Sequence, residues 1–149
     1  AIDDSILKKK GPLTEEETRI MHMHPVLGAQ MLEGLDFYKD EPLLQMAAQI
    51  CRWHHERYDG SGYPDGLVGE SIPIAAQVVG IADAYDTLTG MHGRVEAVSH
   101  EEAVHRILNG ECGAFNPLLT SCLFDIQSRI PDELDTTFLT PPQENLIHL

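Results

Sequence analysis

Midway along the chain, the run His54-His55-Glu56-Arg57-Tyr58-Asp59-Gly60-Ser61-Gly62-Tyr63-Pro64-Asp65-Gly66-Leu67-Val68-Gly69 ends one helix-like segment and delays the next. Before it, Leu43, Leu44, Met46, Ala47, Ile50 and Trp53 recur at helical spacing, which predicts a helix from about Pro42 to Arg57. Adjacent imidazoles on a helix point about 100° apart. Two histidines placed so at a helix end suit two neighbouring metal ions better than one. The four glycines that follow let backbone come close to a ligand where a side chain would block it. The pair and the loop together suggest a metal centre with a substrate-facing loop, spanning about Tyr58 to Ser71.

The rest of the chain reads as helices separated by turn signals. Gly11-Pro12 is a turn, and Thr14-x-x-Glu17 is a capping box that opens a helix to about Met23. Pro25 interrupts the pattern, because the residue before a proline is pushed away from helical geometry. A second run reaches about Leu35. Pro73 suits the first turn of a helix ending near Leu88. Ser99-x-x-Glu102 is another capping box, Gly110 a stop, and Asn116-Pro117 a cap with first position for a last helix to about Arg129. Strand-like alternation and internal repeats are absent. The expected class is therefore all-α. From Pro131 to Leu149 the chain carries three prolines and no amphipathic period, which reads as a tail or linker.

At 149 residues the chain is one domain or part of one. Its formal net charge of −14 argues against a binder of polymeric nucleic acid or of anionic membranes, since phosphate affinity rests on Lys and Arg. A small anionic nucleotide stays compatible, because bound metal ions can reverse the local field. Cys51, Cys112 and Cys122 lack close pairing, which points to thiols in a reducing compartment. No apolar run approaches the roughly 20 residues that span a bilayer, and no signal peptide is visible. The expected location is the cytoplasm.

Outside the histidine pair, Asp83 stands among Val78, Val79, Ile81 and Ala82. A carboxylate buried there would need a partner or a metal ion. Asp86 lies at i+3 on the same face, as a supporting or capping group. Glu56 is either a group that orients a histidine or a solvated acid at a helix end.

These residues also carry a family resemblance. The long gapped match from His54 to Gly69, with Gly62-Tyr63-Pro64 at its centre, resembles the signature of the HD-GYP family. This is an all-helical branch of the HD-type metal phosphohydrolases. The resemblance extends from about residue 1 to 130. It implies an HD-domain-like helical bundle and hydrolysis of cyclic di-GMP to the linear dinucleotide pGpG in bacterial signalling. It also implies two or three iron, manganese or zinc ions, and a receiver or sensor domain as partner. His24, in His24-Pro25-Val26-Leu27-Gly28, resembles the family's His-Pro-x-x-Gly element. By resemblance His24, His54, His55 and Asp83 are metal ligands, while Gly62, Tyr63 and Pro64 lie beside the substrate. His22, His92, His100, His105 and His148 are read as solvated or structural.

Two departures qualify the match. The family's His-Asp-x-Gly-Lys run stands just before a segment like Ala1–Leu7, and no His-Asp pair occurs in this chain. The expectation is an N-terminally truncated fragment that holds metal weakly and is inactive alone. After Thr89, where the family has a basic stretch, the chain reads Gly90-Met91-His92-Gly93-Arg94-Val95-Glu96, leaving Arg94 as the one strong cation. The alternatives are a non-catalytic signalling or interaction module of the same fold, and an HD-type phosphohydrolase acting on another nucleotide.

Overall fold

The computed structural model describes residues 2–38, 40–90, 96–132 and 134. Among these, seven α-helices follow one another and no strand forms. They are α1 (Asp4–Leu7), α2 (Glu15–Met21), α3 (His24–Glu33), α4 (Pro42–Trp53), α5 (Ile74–Thr89), α6 (His100–Leu108) and α7 (Pro117–Ile126). The all-α expectation holds. Short 3-10 turns occupy Asp36–Tyr38, Gly69–Ser71 and Gln127–Arg129.

The expected caps are in place. Thr14 and Glu17 close a reciprocal capping box at α2. The Ser99 hydroxyl accepts the Glu102 N–H at α6, and the Asn116 side chain accepts the Leu118 N–H at α7. Gly110, at φ +76°, follows the end of α6 in the left-handed region. The chain does break between α2 and α3, at His22 and Met23, just ahead of Pro25. Pro25 sits in the first turn of α3, where its missing N–H is needed by nothing. Helical geometry also reaches residues 131, 132 and 134, inside the segment expected to be a tail.

Packing is sequential. α3 lies on α4, α4 on α5, α5 on α6 and α6 on α7. The core between the last three helices holds Ile81, Ala84, Ile107 and Leu123, with Tyr85, Leu88, Phe115 and Leu119 around them. α5 therefore has the core on one side and α4 on the other.

Gly80 makes the second contact possible. A Cβ built there would stand 2.6 Å from the His54 carbonyl oxygen. Ala for Gly inside a helix normally gains about 1 kcal/mol. Here the added methyl meets backbone, and the turn carrying His54 must move. Gly80→Ala is expected to lower the denaturation midpoint despite that propensity gain. A stabilised variant in urea unfolding would contradict the close approach.

Candidate metal centre

The helix expected to run to Arg57 ends four residues earlier. α4 stops at Trp53, with His54 as its C-cap and His55 in the turn beyond. The two imidazoles therefore do not diverge as they would on a continuous helix. Their ring centroids stand 4.1 Å apart, and both rings face His24 from the first turn of α3. The Nε2 of His24 lies 3.3 Å from the Nε2 of His54 and 3.1 Å from that of His55.

The second ring nitrogens explain what this cluster wants. His24 Nδ1 lies 2.7 Å from the Met21 carbonyl, and His54 Nδ1 lies 2.9 Å from that of Ile50. A carbonyl only accepts, so each Nδ1 carries the proton and each Nε2 is left as a lone pair. The 3.3 Å contact between His24 and His54 thus joins two acceptors with no proton between them. A cation resolves that conflict. Two nitrogens bonded to one ion at about 2.0–2.2 Å stand roughly 2.8–3.6 Å apart for octahedral or tetrahedral angles. The observed spacings fall in that range, so the three histidines fit a transition metal. Backbone carbonyls holding the far nitrogens also fix ring orientation.

Burial keeps the cluster ready for such an ion. Loss of solvent, then the neighbouring His54 and His24, pushes the His55 imidazole down to about 3, and burial lowers His24 too. Both are neutral near pH 7, the form that binds metal.

Asp83 stands at the edge of the cluster. Its Oδ2 is 3.7 Å from His55 Nδ1, beyond hydrogen-bond reach. The Asp83 side chain is 40% exposed. The apolar burial expected from its neighbours in sequence is not found, because Val78 and Ala82 on the same helix are themselves exposed. Asp86 is exposed and lines an apolar cavity of about 460 Å³ with Tyr85, Thr89, Leu123, Ile130 and Leu134. Arg94 lies outside the described residues.

Glu56 orients no histidine and is not solvated. It is buried, 5% exposed, and its carboxylate accepts the backbone N–H groups of Asp65 (2.7 Å), Gly66 (3.1 Å) and Leu67 (3.0 Å). The glycine-rich loop is wrapped around this one acid. Asp65 adds a second tie, accepting both Arg52 donors and the Trp53 indole N–H at 2.7 Å. The Arg52 guanidinium, then Trp53, holds the Asp65 carboxyl below its usual range. Gly62 lies so close to the Glu56 and Arg57 backbone that no Cβ fits. The Tyr63-Pro64 peptide bond is cis. Tyr63 donates its N–H to the His55 carbonyl and stacks its ring on His55, with centroids 4.8 Å apart. Burial pushes its phenol up to about 12.

Sequence reasoning missed the support beneath the loop. Arg57 donates its Nε to the Cys112 carbonyl and lies 4.9 Å over the Phe115 ring. Gly113, at φ +95°, has no room for a Cβ beside that guanidinium. The buried Gln77 accepts from the Asn116 amide at 2.8 Å. A polar glutamine in the apolar face of α5 was the available signal.

Comparison with known proteins decides the family. The HD domain family matches residues 2–113. The chain belongs to the HD-domain family. It is 42% identical over 123 residues to the cyclic di-GMP phosphodiesterase response regulator RpfG of Xanthomonas campestris, covering 83% of this chain and 32% of that protein. It is 35% identical over 131 residues to a cyclic di-GMP phosphodiesterase of Thermotoga maritima, covering 88% of this chain and 34% of that one. A 3′3′-cGAMP-specific phosphodiesterase 2 of Vibrio cholerae is 33% identical over 139 residues, at 89% and 26% coverage. The chain spans about a quarter to a third of the length of such relatives. No helix among the described residues is long and apolar enough to cross a membrane.

Two outcomes test the HD-domain site. Glu56→Gln leaves one acceptor for three donors and should destabilise the fold by about 2–3 kcal/mol in urea unfolding. An unchanged midpoint would mean the loop does not depend on this acid. The metal-free protein should also lose stability on acidification. The folded His55 resists protonation down to about 3, whereas the unfolded imidazole takes a proton near 6.5. Protons then favour the unfolded state, so the thermal midpoint should fall between about pH 6.5 and 3, and less steeply in His55→Ala.

Proposed function

We propose that this chain is the metal-binding part of a phosphodiesterase domain that hydrolyses cyclic di-GMP. The observation that carries the reading is the meeting of three imidazole Nε2 atoms, 3.3 Å between His24 and His54 and 3.1 Å between His24 and His55, beside a loop of Gly-Tyr-Pro type. His24, His54 and His55 hold the metal, with Asp83 as a further ligand from α5. The complete domain takes two or three divalent iron, manganese or zinc ions. Bound ions supply an activated water and charge neutralisation for phosphodiester hydrolysis. In the reaction one water is consumed and one P–O bond breaks, giving linear pGpG.

The chain's own residues bind and orient. The His24 and His55 imidazoles stay neutral at pH 7. Glu56 and Asp65 fix the loop so that Gly62, Tyr63 and Pro64 form the wall on the substrate side. Arg94 offers the cation for a phosphate. Asp86 serves as a supporting or capping group on α5. Residues 1–130 form the domain portion, and the residues after it a connecting tail. A receiver or sensor domain serves as regulatory partner, and the protein acts in the cytoplasm. With a net charge of −14, the chain depends on bound cations to receive an anionic dinucleotide.

A second reading is favoured by the sequence after Thr89, where Arg94 and Glu96 replace a basic stretch. The same site would then act on another cyclic dinucleotide, such as the 3′3′-cGAMP named for one relative, or would serve in signalling without turnover.

The deciding assay uses the natural full-length protein loaded with Mn²⁺. Cyclic di-GMP and 3′3′-cGAMP are offered in parallel and the linear products are separated by chromatography. The expected result is pGpG formation by the wild type. His55→Ala should weaken metal binding about tenfold or more and abolish turnover. Equal metal content and rate in His55→Ala would overturn the assignment. Cleavage of 3′3′-cGAMP alone would move the substrate to the second reading.

A further inference from the structure

His22 reads in the sequence as a solvated residue, and its side chain is indeed exposed. Its ring is nevertheless placed. It lies face to face with Tyr63, centroids 3.9 Å apart and planes within 11°. Tyr63 in turn lies on His55 at 4.8 Å and 24°. The three rings form one column, from the surface through the half-buried phenol to a metal-binding imidazole.

The backbone fixes the outer end of this column. His22 is the C-cap of α2, and its N–H donates to the Thr18 carbonyl at 2.8 Å. The same turn carries His24 two residues on, at the start of α3. His22 and His24 are thus delivered together, one to the outer face of Tyr63 and the other to the Nε2 atoms of His54 and His55. Tyr63 has an inner contact, the His55 ring and carbonyl. The His22 ring gives it an outer one. Offset aromatic stacking of this kind restrains a ring beyond what simple burial does.

We propose that His22 is a positioning residue for the metal centre, acting through Tyr63. Its ring presses the phenol against His55 and so holds that imidazole at its distance from His24. The inference rests on the reading that His24, His54 and His55 bind the metal used in phosphodiester hydrolysis. It concerns the ring of His22 as a flat surface, so any aromatic side chain of similar size should replace it.

The test is a mutant cycle in the natural full-length protein. His22→Ala, His22→Gln, His22→Phe, Tyr63→Ala and the His22→Ala/Tyr63→Ala pair are compared. Mn²⁺ affinity is read by competition with a chelator, and kcat/KM is read on cyclic di-GMP. His22→Ala and His22→Gln should each weaken Mn²⁺ binding and lower kcat/KM by about three- to tenfold, the size expected for one aromatic pair. His22→Phe should stay within about twofold of wild type by the same measure. In the Tyr63→Ala background, His22→Ala should have no further effect. A His22→Phe variant as impaired as His22→Ala would overturn the proposal, and so would fully additive losses in the double variant. A wild type inactive on every cyclic dinucleotide would sink the functional reading alone. The Mn²⁺ affinities would then decide the role of His22 by themselves.

Discussion

The buried carboxylate of Glu56 is the interaction on which the rest of the site depends. An ionised acid away from water is tolerated only when strong donors surround it. Here they are three consecutive backbone N–H groups, from Asp65, Gly66 and Leu67. The loop thereby satisfies the acid, and the acid gives an otherwise irregular segment one conformation. Because Glu56 follows His55 directly, the anchor of the loop and the metal-facing imidazole share a backbone. The loop cannot relax without moving the histidine.

The histidines are arranged by the same economy of partners. Carbonyl oxygens from the last turns of α2 and α4 take the Nδ1 protons, which leaves the Nε2 lone pairs aimed at one another. Without a cation this arrangement is mutually repulsive, so the resting fold is biased toward metal uptake. Arg57, two residues beyond His55, does not intrude. Its guanidinium is occupied by the Cys112 and Glu56 carbonyls and by the Phe115 face.

Much of the helical order was legible, because it rests on local chemistry: the Thr14, Ser99 and Asn116 caps, and proline at first-turn positions. The end of α4 was partly legible. The apolar spacing stops at Trp53, where the helix stops, and the expectation overran it to Arg57; what a local pattern could not show is that Glu56 beyond it accepts from donors nine to eleven residues away. The burial of Asp83, though not its place beside His55, was misjudged for a related reason. Apolar neighbours in sequence predict burial only if their own helix face is covered, and Val78 is 49% exposed. His22 carries no sequence signal. Its placement depends on a ring 41 residues later, and a local pattern cannot register that.

The close approach at Gly80 gives α5 a further property. Gly80 rests on the His54 carbonyl, and Asp83 follows three residues along the same rod, about 4.5 Å further at 1.5 Å per residue. The helix is therefore indexed against the very turn whose imidazoles its carboxylate faces. Its opposite side is seated on Ile107 and Leu123. A disturbance in that distant core would tilt or slide the rod about the Gly80 contact. The metal pocket would register it as a change in the height of one carboxylate, with every histidine left where it was.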